Sequence, residues 1–376
     1  MTARTNRLIE LDSLRGIAAL IVVLHHAYLS LPYLPDWVHW TLDATPLRLI
    51  GAGRPAVIFF FVLSGYVLTR ALAAQEERQP GSVMNGPAWA GYAAQRAVRL
   101  GLPVLASLLV SAALQLLIWE APLPAETPGL VGVATWAKMW SWKSLTEQAL
   151  LLSAGNGFQL NPVLWSLVHE WRISLLLPFV LLFRGRLALL MAVALLGAGI
   201  ARLAGMPEGD VALGSSLLKT FAASAGFLPA FAAGAALALG RVPRLDPAQA
   251  WAAGIAVLVM AMAAHDYGVI LASVLLILLA QRDGPFAWQM RRPSLVWLGR
   301  ISFSLYLIHM PLLLAATHLL RDQRVPELAA LIAVVLSFPA AALMYRWVEM
   351  PAHGLARRLK APQRRAPVAG ASYQAR

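Results

Sequence analysis

LDSLRGIAALIVVLHHA, residues 11–27, is the stretch whose reading decides the fold. It is apolar enough to belong to a membrane-length helix, yet it carries Arg15 and His26, and an ionisable side chain in hydrocarbon is costly without a partner or a task. Eleven residues separate the two. At about 100° per residue in a helix, eleven steps return to within ~20° of the starting direction and advance ~16 Å. Both therefore share one face, with a fixed cation near one side of the bilayer and an imidazole most of the way to the other. That pattern suits a site that grips an anion at one end and does proton chemistry at the far end.

The rest of the chain agrees with a membrane reading. Of its 376 residues 59% are hydrophobic and only 13% charged, with a mean hydropathy of +0.65, which is too apolar for a soluble domain of this length. The expected fold class is all-α: a polytopic membrane protein of about ten transmembrane helices, at roughly 9–30, 54–74, 97–119, 162–183, 186–204, 217–239, 247–264, 267–281, 299–320 and 327–348. An even number of spans puts both termini on one side. Lys and Arg concentrate on that side, so the positive-inside rule makes both termini cytoplasmic. The net charge of +13 is then a matter of topology and of basic segments facing anionic headgroups, and gives no reason to invoke nucleic acid.

Residues 1–360 read as one integral-membrane unit, and the Pro/Ala/Arg-rich stretch 361–376 as a disordered basic tail. The first apolar run carries Arg15 and no small-residue cleavage pattern, so it reads as a retained span. With no cysteine, thiolate zinc sites and acyl-cysteine intermediates are excluded and chemistry falls to oxygen or nitrogen. The loop 120–161 holds Trp136, Trp140 and Trp142, flanked by Trp119 and Trp165. Their simplest reading is an interfacial aromatic belt, the alternative a stacking surface for a sugar-like acceptor.

Four places can carry chemistry. The first is the Arg15/His26 face, with His25 pointing about 100° away. The second is Glu170 in NPVLWSLVHEWRISLLLP (161–178), the one carboxylate placed within a span. If that helix starts at the outer surface, Glu170 lies at the depth of His26 and can orient it as a base; the alternatives are an ion pair with Arg172 or another cation, and His169 as a competing partner. The third is Arg96 and Arg99, which share a helix face and can address one polyphosphate beside Arg15, although a basic pair at a helix end is also an ordinary topological anchor. The fourth is Tyr306 and His309, one turn apart, as packing or as lining of a passage. His25, Arg54, Trp165, His169, Tyr306 and His309 are thus candidates for cavity or acceptor contacts. No nucleophile elbow, phosphate loop or HExxH motif is present, and the scattered histidines give little support to a metal site.

Taken together, these blocks resemble the integral-membrane acyltransferase 3 family of bacterial O-acyltransferases. The resemblance rests on LDSLRGIAALIVVLHHA with its Arg–ten residues–His spacing, FFFVLSGYVLTR (59–70), QRAVRLGLP (95–103), WSLVHEW (165–171), GRISFSLYLIHMPLL (299–313) and YRWVEMPAHGLARRL (345–359), in that order. It departs from the pattern at WRISLLLP, where Arg172 is an unusual charge. The resemblance implies a ten-helix fold in the bacterial inner membrane and a cytoplasmic acyl-CoA co-substrate, usually acetyl-CoA, with no metal. It further implies a hydroxyl acceptor on a cell-envelope glycan, a lipid-linked precursor or a small molecule. In these terms His26 and Glu170 are the catalytic pair, Arg15, Arg96 and Arg99 hold the donor, and membrane lipids are the remaining partners. A proton-coupled transporter or flippase, which intramembrane Arg15, His26 and Glu170 also suit, is the rival class, and a non-catalytic lipid- or glycan-binding scaffold a third.

Overall fold

The computed structural model describes residues 8–31, 34–123, 136–151, 158–205, 217–243, 245–263, 265–323 and 325–359; the stretch 361–376 expected to be a tail lies outside them. Among the described residues the chain is helical and holds no strand. In order, it comprises α1 (Ile9–Leu29), the short α2 (Asp36–Ala44), α3 (Gly53–Arg78), α4 (Gly86–Ile118), α5 (Trp142–Ala149), α6 (Leu164–Ser174), α7 (Leu187–Leu203), α8 (Leu217–Gly226) and α9 (Leu228–Leu239). Then follow α10 (Pro247–Ala263), α11 (Asp266–Gln281), α12 (Pro285–Met290), α13 (Pro293–Leu319), α14 (Pro326–Met344), a π-helical turn (Tyr345–Glu349) and α15 (Met350–Arg358).

Four helical runs are long and apolar enough to cross a membrane: α3, α4, α13 and the continuous run Pro326–Arg358. Two bent pairs raise the number to six, α6 with the 3-10 turn Leu177–Phe183 at 48° and Leu218–Gly226 with α9 at 44°. The remaining segments of the expected ten are α1, which carries Glu10, Asp12 and Arg15, and three apolar helices of 10–17 residues, α7, α10 and α11. Large apolar side chains face outward, Leu117 at 82% and Leu203 at 90% exposure, an arrangement that lipid tolerates and water does not.

The centre of the bundle is α13, whose apolar window is 83% buried and which packs against α1, α4 and α14. Its approach to α1 depends on two glycines. A Cβ on Gly16 would stand 2.6 Å from the Gly299 amide, and one on Gly299 would collide with the Asp12 carbonyl, so each backbone fills the space of the other's missing side chain, the small-residue device of membrane helix pairs. Gly65 and Gly234 let α3 and α9 approach in the same way. These two contacts fix α1 against α13 and α9 against α3.

The described parts of the polar connection, 136–151 and 158–163, are drawn into the bundle. Ser111 of α4 donates to the Leu160 carbonyl (2.6 Å), and Asn161 donates from Nδ2 to the Leu307 carbonyl of α13 (2.8 Å). Higher on α4, Gln115 donates to the Lys138 carbonyl (2.9 Å) and accepts from the Trp140 amide (3.1 Å). Irregular backbone survives at this depth only when protein satisfies its polar groups, and these side chains do so. Trp136 is accordingly no belt residue. It is fully buried, held at φ +51°, with its carbonyl accepting from Trp119 Nε1 at 2.6 Å and its own Nε1 donating to Ser111 at 3.3 Å. Trp142, 73% exposed, keeps the expected surface position.

Candidate functional site

Helix α4 begins at Asn85, whose side chain accepts from the Ala88 amide (2.8 Å), an N-cap that sets the register in which Arg96 and Arg99 turn inward. They line a cavity of about 550 Å³ between α1, α3, α4, α6, α13 and the π-helical turn. Five arginines, Arg15, Arg70, Arg78, Arg96 and Arg99, face it against three carboxylates, Asp12, Glu170 and Glu349. Arg15, Arg96 and Arg99 are brought together in this one cavity. Arg15 is aimed from α1 by bonds to Ser302 Oγ (2.9 Å) and the Gly299 carbonyl (3.1 Å), both made reachable by the glycine crossing. A volume of this size with convergent cations and an apolar wall of Val57, Phe60 and Leu100 suits an elongated anionic ligand with an apolar arm.

Glu170 lies in this cavity and pairs with Arg96. Arg96 Nη2 is 2.9 Å from Glu170 Oε1, with side-chain exposures of 8% and 16%, and Ser64 donates to the same oxygen at 3.3 Å. The expected pairing of Glu170 with His26 is therefore corrected. The cause is the drawn-in segment: α6 starts beside Ser107 and Leu307 inside the bundle rather than at its outer surface, which carries Glu170 down to the level of Arg15 and Arg96. The cation bound is Arg96, whereas Arg172 on the same helix bonds the Thr220 carbonyl (3.0 Å) instead. A second carboxylate, Glu349, is 3% exposed and accepts from Ser304 at 2.7 Å. It fell one residue outside the expected last span, because that helix continues through the π-helical turn and brings Glu349 inward. Arg70 and Arg78 of α3, which the sequence did not single out, also line the cavity.

His26 has a different partner. Its Nδ1 is 2.8 Å from Nε2 of His309, and His309 Nδ1 is 3.1 Å from the Leu305 carbonyl. The two rings lie 5.0 Å apart and 17° from parallel. His309 is 2% exposed, while His26 is half-buried. Tyr306 joins the two regions: it lines the arginine cavity, its ring centre is 6.1 Å from that of His309, and its hydroxyl is held by Ser166 (2.6 Å) and the Val163 carbonyl (3.1 Å). Phe60 packs edge-on against it at 5.9 Å. The seven residues from Ser302 to His309 advance ~10 Å along α13, so the histidine pair stands about that far beyond the Arg15 level.

The other candidates form a separate group. Arg54 makes a two-pronged ion pair with Asp266 (2.9 and 2.5 Å) and lies over Phe227. His169 bonds Ser224 Oγ at 3.0 Å between Trp165 and Phe227, and His25 closes against Gly53, where no Cβ fits. None of these lines the arginine cavity. Among the described residues no group of three or more His, Asp or Glu is arranged to hold a metal ion.

Compared with known families, residues 8–346 match the profile described as an acyltransferase domain. No curated protein and no solved structure matches the chain.

Proposed function

The chain belongs to the acyltransferase 3 family and is a membrane acyltransferase; from that premise we propose that it moves an acyl group, acetyl in the first instance, from cytosolic acyl-CoA to a hydroxyl of a cell-envelope glycan or related acceptor. In this reading α1, α7, α10 and α11 complete a ten-span bundle in a bacterial inner membrane, both termini cytoplasmic. The arginine cavity then opens to the cytosol and the histidine pair lies toward the outer leaflet.

The observation that carries this is the cavity itself, lined by five arginines and by Tyr306, which is in ring contact with the partner of His26. Arg15, Arg96 and Arg99 hold the donor's phosphates by charge-assisted bonds. Glu170 keeps Arg96 aimed into the cavity and does not orient the base. The pantetheine arm runs along Phe60 toward Tyr306, and the ~16 Å between Arg15 and His26 is of the order of that arm's length. His26 removes the acceptor's proton as its oxygen attacks the thioester carbonyl. Concentrating charge recognition at one end and base chemistry at the other lets a donor on one side of the bilayer meet an acceptor on the other.

The test uses purified protein in lipid nanodiscs with radiolabelled acetyl-CoA and a cell-envelope lipid and glycan extract. Wild type is expected to transfer label to the extract and His26→Ala to lose at least a hundredfold, the size of a general-base contribution. Equal consumption of donor by both proteins would overturn the reading. Mass analysis of the labelled product identifies the acyl group and the acceptor class.

A further inference from the structure

The geometry assigns His309 as the residue that fixes the tautomer of His26 and thereby makes His26 Nε2 the proton-accepting atom; this rests on the acyl-transfer reading above. The assignment starts from a backbone carbonyl. Leu305 O has no hydrogen, so at 3.1 Å from His309 Nδ1 it can only accept, and His309 Nδ1 carries its proton. In a neutral imidazole one nitrogen donates and the other accepts. His309 Nε2 is then a bare lone pair, 2.8 Å from His26 Nδ1, and that contact is a bond only if His26 Nδ1 carries the proton. What remains on His26 is Nε2 with its lone pair free, and it makes no hydrogen bond among the described residues. A carbonyl on α13 thus dictates, through two rings, which nitrogen of α1 is the base.

A carboxylate ordinarily fills this orienting role, yet among the described residues neither ring bonds one, since Glu170 and Glu349 are engaged with Arg96 and Ser304. The difference has a chemical consequence. When the acceptor O–H gives its proton to His26 Nε2, its oxygen bonds the thioester carbonyl carbon, the C–S bond breaks and CoA leaves as a thiolate. The imidazolium so formed leans on a neutral ring, with no protein carboxylate bonded to either ring among the described residues, and returns the proton from Nε2 to the thiolate. His309 touches neither donor nor acceptor in this scheme and is a positioning residue.

The experiment compares wild type, His309→Leu and His309→Gln in the nanodisc assay, together with the nitrogen NMR spectrum of histidine-labelled wild type, the His26 signals assigned with His26→Gln. His309→Leu offers His26 no acceptor and is expected to lower kcat at least a hundredfold while acyl-CoA KM stays within threefold. Gln presents a carbonyl oxygen where Nε2 stood and is expected to recover turnover to within tenfold of wild type. His26 Nε2 is expected to show the shift of an unprotonated nitrogen and Nδ1 that of a protonated one. Turnover of His309→Leu within threefold of wild type, failure of Gln to improve on Leu, or a proton on His26 Nε2 would each overturn the assignment. Wild type that transfers no label overturns the acyl-transfer reading instead, and the NMR arm still decides the tautomer, including where His309→Leu fails to fold.

Discussion

Glu170 and Arg96 form a 2.9 Å ion pair at the wall of an arginine-lined cavity, and both side chains are largely withdrawn from solvent. The pair joins α6 to α4, and it neutralises one of five cations that otherwise face one another. Losing either partner has a different result. Arg96→Ala leaves Glu170 among Arg15 and Arg99, which can take its charge, whereas Glu170→Ala leaves a guanidinium among guanidiniums. Glu170→Ala is therefore expected to lower stability by the ~3–5 kcal/mol of a broken buried pair and Arg96→Ala by less, read as thermal melting in detergent. Equal losses would show that the pair's geometry, not its charge surroundings, sets the cost.

Arg96→Glu and Arg99→Glu test the proposed donor site directly. Each reverses a charge in the cavity, and each is expected to weaken CoA binding by tenfold or more, about 1.4 kcal/mol or above, while acceptor binding is unchanged. Calorimetry with CoA at two salt concentrations checks this, since binding carried by the exposed Arg99 weakens as salt screens it, while the buried Arg96 is screened less.

The contact between Gly16 and Gly299 predicts a sharp size limit. Gly299→Ala places a methyl against the backbone of Asp12 and Ser13, which cannot swing aside as a side chain would. A loss of about 1–3 kcal/mol is expected from such overpacking, together with lower activity, because Arg15 reaches Ser302 and Gly299 across this same crossing. Gly101, whose Cβ would meet nothing within 4 Å, is the control, and Gly101→Ala is expected to melt like wild type.

Asn161→Ala removes the donor that satisfies the Leu307 carbonyl and one contact to Ser107. An unmade buried bond costs about 1–3 kcal/mol. Proteolysis around 158–163 is expected to quicken in the variant while the α13 region stays protected, as mapped by mass spectrometry.

The membrane class, and the gathering of Arg15, Arg96 and Arg99, were legible in the sequence because both follow from local periodicity and charge placement. Arg15 and His26 share a face of α1 simply because eleven residues make nearly three turns. What failed was depth. Assigning Glu170 to the level of His26 assumed that α6 begins at the bilayer surface, and only the bonds from Ser111 and Asn161 show the chain descending first. Trp136 went wrong for the same reason: composition marks an interfacial tryptophan, and nothing local says that this loop is swallowed. Glu349 was hidden by a helix that does not stop where its apolar run stops. His309 was visible as one turn from Tyr306, but its contact with His26 spans 283 residues and leaves no periodic trace.

The bond from Asn161 to the Leu307 carbonyl closes a gap of 146 residues, and it sets a schedule on the ribosome. At roughly 5–20 residues per second Asn161 is synthesised about seven to thirty seconds before its docking partner exists. For that interval the Asn161 amide lacks its Leu307 partner, and the seat of residues 158–163 in the bundle cannot close. The arginine cavity, whose wall includes Ser302, Phe303 and Tyr306 of α13, is likewise a late product of biogenesis, complete only after α13 has been made.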